Sequence, residues 1–340
     1  MPLTLEEALQ QAEESLEEGE FEQTVALADQ ALALSQGDTD ALYLKGLGLA
    51  GLGELEAADE ALAAVLAKEP QNVMVLLDAA DVKIREAEES ARIEEGLELL
   101  RKAERLVRKD EELQQQLELL RGIALSQLGE FQAAIDAFGK VLLLDPDHGE
   151  AQLERAVALF ELGRFGEAKK AFEKLVRDYP EEAWSFHYLG LLAERRGENP
   201  ESFFAQARAL DPEEFPPAVH LSGEAFDAAV ADAIEKLPEH AKPHLANAVI
   251  ATEPLPSDED IKEGLSPTIL GVFTGTPVDE RLALHSGHHE TVRITLFQKN
   301  LERFARTRDE LLEEIRITVL HEVGHLLGLD EDELFDRGLD

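Results

Sequence analysis

Small, aromatic and proline residues recur at a fixed interval through the first two-thirds of the chain. Glycines occur at Gly129, Gly163 and Gly197, and prolines at Pro146 and Pro180. Successive glycines, and the two prolines, are 34 residues apart. Apolar positions around these marks follow helical spacing. The pattern predicts stacked helical hairpins, in which small residues let paired helices approach, aromatic residues fill the space between repeats and proline closes the second helix.

Matching kinds of residue fill the same positions in several units. An early unit carries Gly46, Leu49, Gly53, Leu55, Ala58, Leu62, Val65 and Pro70, and two later units run from Gly122 to Pro146 and from Ala156 to Pro180. A weaker first unit, a longer degenerate one at 73–111 and a shortened last one complete about six hairpins over residues 3–212. This register resembles the tetratricopeptide repeat (TPR) family, which implies a right-handed solenoid with a concave face for a peptide or a helix.

The 34-residue register is lost from about Pro216, and helical and strand patterns alternate beyond it. A helix is predicted before Pro238 and another from about Thr307, with three strands between them at 245–252, 268–277 and 291–297. This order predicts a small α+β domain over residues 217–340. We also expect the acidic run 258–260 to lie in a loop, and the strand Ile294–Gln298 to pair with an extended substrate by edge addition.

The last predicted helix contains His-Glu-x-x-His at His321, Glu322 and His325. Residues four apart share one helix face, so the two imidazoles can reach a single ion, and Glu322 projects beside them as a general base for a metal-bound water. Gly328 is predicted to end the helix in a left-handed turn. The acids that follow, Asp330, Glu331 and Asp332, are the candidates for a third ligand.

Composition and charge narrow the possible partners. The chain of 340 residues has no cysteine, and its 32 basic and 72 acidic residues give a formal charge of −40. Thiolate metal sites and cysteine nucleophiles are excluded. The charge argues against nucleic acid and anionic membranes as partners and permits a basic peptide or protein. Without a visible signal peptide or membrane span, a cytoplasmic location is expected.

Several segments together resemble a bacterial family of small metallopeptidase-like zincins, often described as minimal matrix-metalloprotease-like domains. The likeness rests on 226–238, 248–251, 269–281, 294–303 and 316–334. It implies a zincin fold binding Zn²⁺ through His321, His325 and Glu331, with Glu322 as catalytic base. Metzincins place histidine or aspartate where Glu331 stands and carry a methionine turn, for which no methionine is present after Met74.

The expected architecture is therefore an α-helical TPR solenoid followed by a small α+β zincin-like domain. The leading functional hypothesis is a zinc metallopeptidase whose repeats bind substrate or partner. The alternative is a non-catalytic TPR adaptor with a structural or vestigial zinc site. A calcium-binding role is not supported, because no twelve-residue loop has the required order of ligands.

Three further features have simpler explanations than a second site. Gly46, Gly48 and Gly51 fit a dinucleotide fingerprint by letter, but they fall inside a repeat helix without a preceding strand, so close packing is expected. The cluster His285, His288 and His289 is expected to form a solvated loop. Trp184, the only tryptophan, falls at the start of a repeat helix and is expected to serve packing.

Overall fold

A computed structural model describes residues 3–85, 90–107, 110–239, 241–277, 292–330 and 333–334. The chain forms two compact units, Met1–Leu159 and Phe160–Asp340. The elements that the structure describes in the first unit are all repeat helices. The second contains the last repeat helices together with the mixed C-terminal domain. The predicted division into residues 3–212 and 217–340 stays a prediction.

The helices of the first unit are α1 (Leu5–Glu17), α2 (Phe21–Leu34), α3 (Thr39–Gly51), α4 (Leu55–Lys68), α5 (Val73–Ile84), α6 (Ser90–Glu104), α7 (Glu111–Gln127) and α8 (Phe131–Leu144), and α9 (Gly149–Glu161) begins in it. Consecutive helices pack in pairs: α1 with α2, α3 with α4, α5 with α6 and α7 with α8. The predicted solenoid of helical hairpins is confirmed.

The recurring glycines have the two roles that the register predicts. Gly129, between α7 and α8, has φ of 73°, a left-handed conformation that glycine adopts without steric cost. Gly122, inside α7, faces the ring of Phe138, and a β-carbon there would collide with that ring. Gly46 in α3 has the same relation to Leu62. Turn glycines therefore reverse the chain, and small helical residues let partner helices touch.

The fingerprint-like glycines serve packing. All three lie within α3. A β-carbon at Gly48 would come within 2.9 Å of Val25, and one at Gly51 within 2.5 Å of the ring of Phe21. The close approach of α3 to α2 accounts for these two residues, as expected from the sequence.

The second unit continues with α10 (Phe165–Asp178), α11 (Ala183–Arg195), α12 (Glu201–Leu210), α13 (Gly223–Glu235), a 3₁₀ turn (Lys242–Asn247), β1 (Ala248–Glu253), α14 (Asp258–Lys262), β2 (Gly271–Thr274), β3 (Val292–Phe297), α15 (Gln298–Phe304) and α16 (Arg308–Leu327). The sheet has the order β1-β3-β2, with β1 parallel and β2 antiparallel to β3. Its core joins buried residues of α13, β3 and α16: Phe226, Val230, Ile294, Leu296, Ile315, Val319 and Val323. The predicted α+β architecture is confirmed.

Two local predictions are wrong. The strand expected to receive a substrate, β3, is central in the sheet and already paired on both sides. The acidic run at 258–260 forms the first turn of α14, because the Ser257 hydroxyl accepts from the Asp260 amide while the Asp260 carboxylate accepts from the Ser257 amide. The chain also turns into α15 directly after β3, in a stretch between the predicted third strand and last helix for which the sequence predicted no element.

Among the described helices, none combines the length and apolar character that crossing a membrane requires.

Candidate metal centre

Helix α16 has clear signals at both ends. The Thr307 side chain accepts a hydrogen bond from the Glu310 amide at the first turn, and Gly328 ends the helix with φ of 92°. Between these ends, Leu311, Ile315 and Val319 recur every four residues and are fully buried. Their burial fixes the rotation of the helix about its axis. As a result, the adjacent face of the helix, which carries the two histidines, lies toward strand β2.

His321 and His325 face each other one turn apart. Their Nε2 atoms are 3.1 Å apart, and their rings are nearly perpendicular, at 85°. Nδ1 of His325 donates to the carbonyl oxygen of Leu329, also at 3.1 Å. Because that bond requires the hydrogen on Nδ1, the neutral ring has the lone pair of Nε2 directed toward His321. The predicted convergence of these two histidines is present.

Glu322 is packed between its helix and the sheet. Its exposed fraction is 5%. A β-carbon on Gly271 of β2 would lie 3.0 Å from the Glu322 Oε1 atom and 2.7 Å from Thr318 Cγ2. Only glycine leaves room for the carboxylate at this point of β2, so the strand and the acid are matched in shape.

The chain beyond α16 folds back over the helix. The Leu329 amide donates to the Gly324 carbonyl at 3.1 Å, and Leu334 is fully buried in contact with Gly324. The Asp330 carboxylate accepts from the Glu333 amide at 2.9 Å, which caps the short turn that contains Leu334. This return brings Asp330 alongside the histidines.

The histidines, Glu322 and Asp330 line a common cleft of about 460 Å³, together with Ile269, Gly271, Val272, Phe273, Pro277, Gly328 and Leu329. Strand β2 forms one wall of the cleft and α16 the other. Within the described ranges, no group of three or more His, Asp or Glu side chains meets at one point. The predicted third ligand, Glu331, and its rival Asp332 lie outside the described residues, as do His285, His288 and His289.

Trp184 has the packing role expected of it. It lies in the first turn of α11, with its ring centroid 4.9 Å from that of Phe215. The neighbouring His187 is 5.0 Å from the same ring. Burial, with a further contribution from the nearby charge of Arg303, lowers the pKa of His187 to about 4, so this imidazole is neutral near pH 7.

Sequence reasoning missed two contributors to the site: Gly271 and the carbonyl of Leu329. The glycine in the pattern of β2 was a signal for close backbone approach, but its partner could not be read from the pattern. A backbone carbonyl leaves no trace in a sequence.

Two family models match parts of the chain. One, for zincin-like metallopeptidases, matches residues 245–339. The other, for tetratricopeptide repeats, matches residues 119–183 and 158–218. No curated protein matches the chain.

Solved structures of TPR proteins are similar to the repeat region. The chain is 21% identical to PilF of Pseudomonas aeruginosa, with a TM-score of 0.52 over 62% of this chain and 92% of that one. It is 19% identical to PilW, a widely conserved type IV pilus biogenesis factor, with a TM-score of 0.54 over 61% of this chain and 93% of that one. At these identities the likeness shows the fold alone. The chain therefore carries tetratricopeptide repeats in its N-terminal region and a zincin-like metallopeptidase domain at its C-terminus.

Proposed function

We propose that this protein is a zinc-dependent metallopeptidase whose repeats bind a protein substrate or partner. The observation that carries the proposal is the pair of His321 and His325 Nε2 atoms, 3.1 Å apart, beside the buried Glu322 in a cleft walled by a strand. A helix that needed these histidines only for surface hydrogen bonds would have no use for a buried carboxylate between them.

The donor set fits zinc. Two nitrogen ligands at the usual zinc distance and a tetrahedral angle stand about 3.3 Å apart, close to the spacing of the two imidazoles. The bond from His325 Nδ1 to the Leu329 carbonyl is the outer hydrogen bond that orients a metal-binding histidine. His321 and His325 would therefore hold the ion through Nε2.

The third ligand is proposed to be Glu331. The Asp330 carboxylate already accepts a hydrogen bond from the Glu333 amide, and Glu331 is the next acid in the sequence. Asp330 and Asp332 are the rivals. Glu331→Ala should lower zinc affinity at least about tenfold, as expected for a lost carboxylate ligand, and more than Asp330→Ala or Asp332→Ala. If Asp330→Ala or Asp332→Ala lowers zinc affinity the most, that residue is the third ligand instead.

Glu322 is proposed to move the proton during hydrolysis. A zinc ion held by these residues would supply a Lewis acid that lowers the pKa of water toward about 7 and polarises a peptide carbonyl. The Glu322 carboxylate takes the proton of the attacking water and delivers it to the nitrogen of the leaving amine. Its position against Gly271 restricts the carboxylate to the side of the cleft where strand β2 runs.

The substrate is proposed to lie along β2 rather than β3. The Phe297 amide donates to the Leu270 carbonyl, so Leu270 belongs to a hydrogen-bonded pair of the antiparallel ladder. By the alternation of such ladders, the backbone groups of Gly271 and Phe273 point away from β3. Both residues line the cleft. An extended peptide that paired with them would place a carbonyl beside the two histidines.

The repeats are proposed to select the partner. With a formal charge of −40, the chain attracts a basic peptide, accommodates a neutral one and repels nucleic acid and anionic membranes; a cytoplasmic location is part of the proposal. In the first unit, burial raises the pKa of Asp78 on α5 and of Glu154 on α9. Both are partly desolvated carboxylates, which a basic side chain would stabilise.

The test combines metal analysis with Glu322→Gln. We expect about one zinc per chain in wild type and Glu322→Gln, and cleavage of a diverse peptide library by wild type alone. His321→Ala should lose zinc, whereas the exposed His244→Ala should keep it. Absence of zinc from chelator-free wild type would overturn the proposal. Zinc in both forms without cleavage would favour the non-catalytic adaptor.

A further inference from the structure

The short helix α15 is bonded to the segment that leads into the cleft wall. The Asn300 side chain, 4% exposed, donates through Nδ2 to the carbonyl oxygens of Pro267, at 3.1 Å, and Ile269, at 2.7 Å. One side-chain amide thus donates hydrogen bonds to two backbone carbonyls that lie outside the helices and strands. It fixes the backbone immediately before β2.

That backbone determines where β2 meets the candidate site. Ile269 lines the cleft, and Gly271, two residues later, touches Glu322. The fit between Gly271 and Glu322 leaves no space for a shift toward the helix. Displacements of about 1 Å in a substrate-positioning element can cost about a hundredfold in rate. The position of residues 267–271 is therefore a determinant of the geometry of the cleft.

Asn300 is in turn connected to a repeat helix. The Arg303 guanidinium donates through Nη2 to Asn300 Oδ1, at 2.6 Å, and through Nη1 to Oε2 of Glu194 in α11. Lys299 Nζ lies 3.1 Å from the other Glu194 oxygen. The side chains of Arg303 and Glu194 are only 16% and 13% exposed, so this pair is largely shielded from solvent.

Further contacts within the same compact unit hold the approach to β2 against repeat helices. Arg195 Nη2 donates to the Pro256 carbonyl, at 3.1 Å, and to the Asp258 carboxylate, at 2.9 Å. Ser266 donates to the carboxylate of Glu161, at 2.7 Å. Residues 256–269 are therefore attached at both ends to helices that belong to the repeats by sequence.

We propose that Asn300 is a positioning residue for the candidate active-site cleft, and that Arg303 connects it to Glu194 so that the last repeats form part of the scaffold of the site. The effect of Asn300 on catalysis rests on the proposed function. Its effect on the position of β2 does not, and that effect is tested separately. The last repeats would then have two roles: binding a partner and fixing the position of the cleft wall.

The test uses Asn300→Asp in the full chain. The substitution keeps the shape of the side chain but replaces two N–H donors by an oxygen that faces two carbonyl groups. We expect amide hydrogen exchange in residues 268–274 to accelerate at least about tenfold, with exchange in α1–α8 unchanged. KM for a cleaved peptide should rise several-fold, with a smaller change in kcat and zinc affinity within about twofold.

Asn199→Asp is the matched control, because Asn199 only accepts a hydrogen bond, from the Glu201 amide, and a carboxylate accepts it equally well. If Asn300→Asp does not fold, Glu194→Gln provides a milder change that keeps an acceptor for Arg303. It should accelerate exchange in the same segment by about threefold. Exchange in residues 268–274 equal to that of Asn199→Asp, or accelerated equally in every element, would overturn the inference. The exchange result holds even if wild type cleaves no peptide, which separates this inference from the proposed function.

Discussion

Gly271 of strand β2 and Glu322 of helix α16 are in direct contact, with no space for a side chain between them. A β-carbon at Gly271 would stand 3.0 Å from the Glu322 Oε1 atom and closer still to Thr318. The contact joins the strand that forms one wall of the cleft to the proposed general base on the other. A change on the strand should therefore act on the acid without altering any of the proposed metal ligands.

Gly271→Ala should impair hydrolysis while zinc binding persists. The added methyl group forces Glu322 or β2 to move, at a cost of about 1–3 kcal/mol for overpacking. Peptide turnover and zinc content measured on the same sample would check this. Gly166→Ala in α10 is the control, since a methyl group added there would meet no atom within 4 Å. Full turnover by Gly271→Ala would show that Glu322 is not held by this contact.

Leu334→Ala should weaken zinc binding from a distance. Leu334 is fully buried against Gly324, and its burial holds the return of the chain that brings Asp330 beside the histidines. Loss of a buried leucine costs about 2–5 kcal/mol, here concentrated on a short terminal segment. Competition with a chelator should show reduced zinc affinity. Leu143→Ala, at a residue 83% exposed, should leave the affinity unchanged.

Gly122→Ala should destabilise the repeats. The methyl group would enter the space of the Phe138 ring, between α7 and α8, and we expect a loss of about 1–3 kcal/mol in the free energy of unfolding. Gly139→Ala in α8 makes the same chemical change at a position with no atom within 4 Å. It should stabilise the protein by about 0.5–1 kcal/mol, because alanine is the better helix former. Denaturant titrations of both variants would test the difference, and equal midpoints would contradict it.

Asp78→Asn should stabilise the first unit more at pH 7 than at pH 4. Burial raises the pKa of Asp78, so the folded state disfavours its charge. As pH rises, the carboxyl group of Asp78 loses its proton in the unfolded state before it does in the folded state. The free energy of unfolding therefore falls as pH rises from the ordinary carboxyl pKa to the raised pKa of the folded state. Asparagine has no proton to lose, so this loss of stability disappears. Its side-chain oxygen can still accept the hydrogen bond that the Tyr43 hydroxyl donates to Asp78 Oδ2, at 2.6 Å. Unfolding titrations at both pH values, with the exposed Asp40→Asn as control, would check this; a pH-independent gain would contradict it.

The repeat architecture could be predicted in detail because its determinants are local. Gly129 and Gly163 mark turns by their own backbone freedom, and the Gly122 and Phe138 positions repeat wherever two helices pack. The order of elements in the C-terminal domain followed from the periodicity of apolar residues. Helix α15 was missed because its residues act through distant partners: Asn300 bonds to Pro267 and Ile269, and neither end of that contact carries a local signal.

The sequence by itself determined the helical hairpins, the strand-containing C-terminal domain and the face of α16 on which His321, Glu322 and His325 lie, because each depends on spacing within one segment. Only the tertiary structure decided that β3 is central, that Gly271 meets Glu322 and that Asn300 and Arg303 connect the cleft wall to Glu194. These relations join residues far apart in the chain. They depend on how whole elements pack, which the periodicity of one segment does not specify.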